Sequence, residues 1–176
     1  MNYEEIIAIT GTALFKPDYE LLNKYARKKE PRIIVEIGAS KGCSSLTLGL
    51  VAKDFGGHLY SIERAPKRFW YETMEKNDLT KCTTLIQAAS PNVDMSFLKG
   101  HTIDFCFIDG THTHEAVWAD YELVRKHMAP DGWIAFHDIG YLPIKPAIAE
   151  ILKDGRIREL GRVICRQKGV LITEVI

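Results

Sequence analysis

The chain predicts an α/β fold: a doubly wound, mostly parallel seven-stranded sheet, with helices on both faces and a C-terminal antiparallel hairpin. Three observations predict it. Short runs rich in β-branched and aromatic residues alternate with stretches of helical period. Those runs are nearly continuously apolar, as strands covered on both faces must be. The last two runs are joined by a tight polar link, which reads as a hairpin.

Taken in order, Tyr3–Ile9 and Pro17–Lys28 are predicted helices, the second with Leu21, Leu22 and Tyr25 facing inward. Arg32–Ile37 (RIIVEI) is the first strand and stops at Gly38. Leu46 and Leu50 then pair one helical turn apart. His58–Ile62 (HLYSI) follows the turn signal Gly56-Gly57. Pro66 suits the first turn of a helix from about Lys67 to Asn77. Thr83–Gln87 (TTLIQ) is the third strand, and Pro91 opens a short helix after Ser90. Ile103–Ile108 (IDFCFI) ends at Asp109-Gly110, and Val117, Tyr121, Val124 and Met128 then make one apolar helix face. Trp133–Phe136 (WIAF) is opened by a turn at Pro130-Asp131-Gly132. Ile157–Cys165 and Val170–Val175 form the hairpin, linked by Arg166–Gly169.

The length of 176 residues suits a single domain, with N-terminal helices over 1–30 and the α/β core over 31–176. Basic and acidic side chains balance at 23 each, which weighs against a dedicated nucleic-acid binder. The run Lys24, Arg27, Lys28 and Lys29 reads as a solvated helix end. Met1–Thr10 carries Glu4 and Glu5 and lacks the pattern of a secretory leader. No apolar run approaches the roughly 20 residues of a membrane span. The cysteines (Cys43, Cys82, Cys106, Cys165) lie far apart, and Cys106 falls inside an apolar strand, where it reads as core. A cytoplasmic protein without a membrane partner is expected.

In parallel sheets, ligands bind beyond the carboxyl ends of the strands, near the point where strand order reverses. Gly38-Ala39-Ser40-Lys41-Gly42-Cys43-Ser44-Ser45 follows the first strand. Two glycines there let the backbone approach a ligand, and the helix start offers free N–H donors. The spacing is not the Gly-x-Gly-x-x-Gly of dinucleotide sites, and a turn that merely needs glycine explains it equally. Glu63, after the second strand, can accept both hydroxyls of a ribose; beside the glycine turn it favours a nucleoside over a plain exposed acid. Ala89-Ser90 can frame an adenine ring, or Ser90 can simply cap a helix. Asp109 to Glu115 and His137-Asp138 end the next two strands. If those strands are neighbours, about 5 Å apart, the carboxylates and imidazoles converge and can hold a divalent cation. Otherwise Asp109 is a turn-former, and His112 and His114 are exposed rings at a helix start.

The pattern Val35-Glu36-Ile37-Gly38-x-x-x-Gly42-x-Ser44 resembles the first motif of class I S-adenosylmethionine-dependent methyltransferases, closest to the catechol O-methyltransferase-like branch. Phe107-Ile108-Asp109-Gly110-Thr111-His112 through Glu115 and Asp120, then Gly132 to Asp138, is similar to the macrocin O-methyltransferase and cephalosporin-hydroxylase-like group. The resemblance spans roughly Ile33–Ile139. It implies a Rossmann-like fold, S-adenosylmethionine as cofactor and O-methylation of a small hydroxylated acceptor. It further implies a cofactor-binding set of Glu36, Gly38, Ala39, Gly42, Ser44, Glu63, Arg64, Ala89, Ser90 and Asp109. A divalent cation, magnesium by preference, would sit on Asp109, His137 and Asp138, with His112 as general base and Asp109 beside it in the chemistry. The chain departs from the pattern at Thr111 and His137, where acids are common, at His114, where tyrosine is common, and at Ala89, where an acid is frequent.

Three other readings share some of these residues. A nucleotide-linked oxidoreductase would keep Glu63, but the chain lacks its glycine turn and a Tyr-x-x-x-Lys pair. A metal-dependent hydrolase could use Asp109, His112, His137 and Asp138, leaving the glycine turn and Glu63 unexplained. A cofactor-binding protein without turnover would keep both. The acceptor leaves no trace in the sequence. Tyr141, Leu142 and Pro143 could wall its pocket, Trp118 reads rather as a buried helix residue, and a second subunit could complete an open site.

Overall fold

A computed structural model describes residues 1–11 and 14–176. Among them the strands are β1 (Ile33–Ile37), β2 (His58–Ile62), β3 (Thr83–Ile86), β4 (Ile103–Ile108), β5 (Met128–His137), β6 (Ile157–Cys165) and β7 (Lys168–Val175). The helices are α1 (Tyr3–Thr10), α2 (Lys16–Lys29), α3 (Cys43–Phe55), α4 (Arg68–Lys76), α5 (His114–Arg125) and α6 (Lys145–Lys153). The strands make one sheet in the order β3-β2-β1-β4-β5-β7-β6. β1 to β5 pair in parallel, and β7 runs antiparallel to both β5 and β6. The predicted α/β sheet with its terminal hairpin is therefore the observed one. No helix among the described residues is long and apolar enough to cross a membrane.

Strand alternation divides the core into two layers. On one side Phe105 and Phe107 of β4 pack with Ile34, Leu46 and Leu59, under α1, α2 and α3. On the other, Cys106 and Ile108 pack with Val35, Tyr121 and Ile148, under α5 and α6. Local signals set several helix ends. The Asn2 side chain accepts from the Glu5 N–H while Glu5 accepts from the Asn2 N–H, a reciprocal cap that starts α1. Thr113 caps α5 through the Ala116 N–H at 3.3 Å.

Several predicted boundaries are corrected. β5 begins at Met128, not Trp133: Met128 pairs with Ile103 and Trp133 with Phe105, so the intervening residues bulge out of the ladder. Pro130 and Asp131 are exposed in that bulge, where a missing N–H breaks no pairing. Met128 thus belongs to a strand, while Val117, Tyr121 and Val124 do form the buried face of α5. Pro66 lies just ahead of α4 rather than in its first turn, since Lys67 is the capping residue. The hairpin link shortens to Arg166-Gln167, and α6, with Ala147, Ile148 and Ile151 buried, is an element the sequence reading had not identified. Ser90 opens a short 3₁₀ turn but caps nothing, because Ala89 occupies the cap position.

The chain moves from β1 outward through β2 and β3, then returns to place β4 on β1's other side. The carboxyl ends of β1 and β4 therefore mark the reversal of strand order, the place where such sheets bind ligands.

Candidate active site

Three strand ends are laced together at this reversal. The Gly38 N–H donates to the Ile62 carbonyl and the Asp109 N–H to the Ile37 carbonyl, each at 2.9 Å. Gly38 has φ +91°, and a Cβ there would stand 2.1 Å from the Asp109 carbonyl oxygen. Only glycine allows that approach. Ser40 follows with φ +46°, an uncommon backbone state for a side-chain-bearing residue. Its N–H donates to one Glu63 oxygen and the Ala65 N–H to the other, both at 2.9 Å. The Glu63 carboxylate is thereby fixed at the rim, and each oxygen keeps lone-pair capacity for a further donor.

These groups border a cavity of about 480 Å³, within the range of small-molecule sites. Gly38, Glu63, Arg64, Ala89, Ser90, Asp109, His112, His137 and Asp138 all line it, as do Ser40 and Lys168. The other expected cofactor residues do not. Glu36 is fully buried beneath the glycine turn and accepts from the Ser45 and Ser61 hydroxyls. Burial pushes its pKa up to about 7. Ala39 and Ser44 are buried as well. Gly42 starts α3 at φ +91°, and a Cβ there would press on the Trp70 ring at 3.2 Å. The Ser90 hydroxyl donates to Asp120, a buried α5 carboxyl whose pKa burial raises to about 6. His114 turns away, its Nε2 3.0 Å from Glu150.

Asp109 and Asp138 converge because β4 and β5 are neighbours. His137 Nδ1 stands 2.9 Å from Asp109 Oδ1 and 3.4 Å from Asp138 Oδ1. His112 Nε2 stands 3.3 Å from Asp109 Oδ1 and 3.4 Å from Asp138 Oδ2. Lys168, reaching in from β7, places Nζ 3.5 Å from Asp138 Oδ1. Asp138 itself has φ +54°, so the backbone is held in an unfavoured state at the site. Burial alone would lower the His137 pKa, but Asp109, Asp18 and Asp138 together outweigh it and push it up to about 10. The hydrogen bond to Asp109 raises that of His112. Burial acts to raise the Asp109 pKa, yet the two imidazoles hold it below the ordinary value.

Asp109, His137 and Asp138 each offer one ligand atom, all within 4.8 Å of one another. Asp138 Oδ1 is buried without a hydrogen-bond partner. A carboxylate oxygen without a hydrogen bond, beside a second carboxylate and an imidazole, is a donor set that fits a divalent cation. Trp118 does not line the cavity and packs against Tyr121 instead. Tyr141 and Leu142 are exposed, with the Tyr141 ring 6.3 Å from that of His112. Sequence reasoning missed Ser40, Lys168 and Asp18. Ser40 sits in the glycine turn that was read as a ligand contact through its backbone but was not itself named, Lys168 sits in the predicted hairpin link, and Asp18 looks like an ordinary acid at a helix start.

A family model described as a methyltransferase domain matches residues 35–139. No curated protein matches the chain. Solved structures do. An O-methyltransferase from Bacillus cereus, in complex with SAH, aligns at TM-score 0.81 and 16% identity, over 98% of this chain and 90% of that one. The O-methyltransferase TomG from Streptomyces achromogenes, involved in tomaymycin synthesis and solved with SAM, aligns at 0.78 and 15%, over 99% and 91%. A methyltransferase from Geobacter sulfurreducens aligns at 0.74 and 16%, over 98% and 86%. At such identities the likeness establishes the fold. The family match covers more than half of the chain and contains most of the cavity lining, so the chain belongs to the methyltransferase domain family.

Proposed function

We infer that the protein transfers a methyl group from S-adenosylmethionine to an oxygen of a small hydroxylated molecule, assisted by a divalent cation. One observation carries this reading: a single cavity joins a fixed rim carboxylate, Glu63, to the cluster of Asp109, His112 and Asp138. The first half suits a ribose and the second suits an acceptor hydroxyl. The Bacillus cereus and Streptomyces achromogenes structures, named as O-methyltransferases and solved with SAH and SAM, support the choice of cofactor and reaction.

S-adenosylmethionine supplies a methyl group already activated on a sulfonium sulfur, so the protein's task is chiefly to position two reactants, worth up to about 7–11 kcal/mol. Glu63 accepts from the ribose hydroxyls, while the close backbone at Gly38 and Ser40 leaves room for the methionine portion. Arg64, Ala89 and Ser90 border the adenine side. Asp109, His137 and Asp138 would hold the cation, which when bound lowers the pKa of a coordinated hydroxyl and orients it. His112 Nε2 takes the acceptor proton as the oxygen–carbon bond forms and the carbon–sulfur bond breaks.

The test is transfer of label from methyl-labelled S-adenosylmethionine to a panel of catechols, phenols and sugars, with Mg²⁺ and with chelator. Labelled product that disappears with chelator is expected. Cofactor binding without transfer to any of them would favour a protein that has lost its chemistry. His112→Ala is expected to lower kcat by about 10²- to 10⁴-fold, with partial recovery in added imidazole and unchanged cofactor affinity. Full turnover in that variant would remove His112 as the base.

A further inference from the structure

Outside the cluster of Asp109, His112, His137 and Asp138, Asp18 stands in the first turn of α2. An acid there ordinarily faces water, where it meets free N–H groups and the positive end of the helix dipole. Asp18 is instead wholly buried, and neither carboxylate oxygen has a hydrogen-bond partner among the described residues. The nitrogen it faces is His137 Nε2, at 3.5 Å, itself buried and without a hydrogen bond. The other ring nitrogen, Nδ1, is on Asp109. His137 thus stands between Asp18, which does not line the cavity, and Asp109, which does, with the Phe107 ring 5.9 Å from the imidazole.

A carboxylate left alone in an apolar interior is strongly disfavoured, and an imidazole facing it offsets part of that cost, so removing either partner leaves the other exposed to the full penalty. The partner of one imidazole nitrogen decides what the other can do. We propose that Asp18 is a positioning residue: facing Nε2 of His137, it favours the proton on that nitrogen and so keeps Nδ1 turned towards Asp109 and the cavity, where it can serve a cation. The ring orientation stands on the geometry of Asp18 alone, and the service to a cation rests on the function proposed above. α2 lies outside the family-matched 35–139, so an N-terminal helix would complete the site from beyond that segment.

Long-range ¹⁵N–¹H spectra of the histidine side chains, taken on the ligand-free full chain, read the ring directly, with the His137 signals assigned through His137→Gln. A protected Nε2–H is expected in the wild type. Asp18→Leu removes the acceptor and is expected to abolish that protection and weaken Mn²⁺ binding by about 10- to 100-fold. Asp18→Asn keeps an acceptor oxygen without the charge, and is expected to retain the signal at an upfield-shifted position. Wild-type protection and wild-type Mn²⁺ affinity in Asp18→Leu would overturn the proposal. Should Asp18→Leu fail to fold, Asp18→Asn decides alone, and a His137 Nε2–H unmoved from its wild-type position overturns it. Absence of Mn²⁺ binding in the wild type would sink the cation reading, while the proton signal would still decide the role of Asp18.

Discussion

Glu36 is an acid in the middle of an apolar strand, and its chemistry follows from that position. Its carboxyl accepts from two buried serine hydroxyls, yet loss of water dominates and raises its pKa from 4.5 to about 7. The folded protein therefore holds this proton more tightly than the unfolded chain does. The resulting contribution is largest below pH 4.5 and is lost as pH rises to about 7. At about 1.4 kcal/mol per pH unit the change is on the order of 3 kcal/mol. Urea unfolding at pH 5 and pH 8 should show that slope in the wild type and a flatter one in Glu36→Gln; equal slopes would contradict the burial argument. The family resemblance set Glu36 beside Gly38 as a cofactor contact. It could not show that α3 closes over the carboxyl through Ser45, because that contact is tertiary.

The turn between β1 and α3 is the element on which the cavity depends. Gly38→Ala would place a Cβ against the Asp109 carbonyl at a positive φ, so both sterics and backbone oppose it. A loss of about 3 kcal/mol or more in stability is expected, read by thermal unfolding. A variant as stable as the wild type would mean that the strand ends are not so closely laced. This turn was legible because glycine after an apolar run is a strong local signal. The strands bounded by such signals, β2 and β4, were read with their observed limits. β5 was not, because Pro130-Asp131-Gly132 carries turn chemistry inside a bulge, where pairing with β4 resumes on both sides. α6 escaped because no helical period was read between Asp138 and Ile157, although Pro146 in its first turn suits a helix.

At the scale of the whole molecule, the site is a product of topology. Parallel order brings Glu63, Asp109 and Asp138 to one end of the sheet, and reading the residues after each strand found them for that reason. Lys168 and Asp18 reach the same cluster from β7 and α2, at sequence distances that no local pattern reports. A ligand that binds only the folded chain must also stabilise it: at 100 times its Kd, about 2.7 kcal/mol is expected, visible as a raised thermal midpoint with S-adenosylmethionine. The most direct test is calorimetric titration of the protein with S-adenosylmethionine, repeated on Glu63→Ala and with NAD as competitor. Micromolar binding is predicted, weakened by about 10- to 100-fold in Glu63→Ala and indifferent to NAD. No heat of binding with S-adenosylmethionine, or binding of NAD in its place, would contradict the assignment of this cavity to methyl transfer.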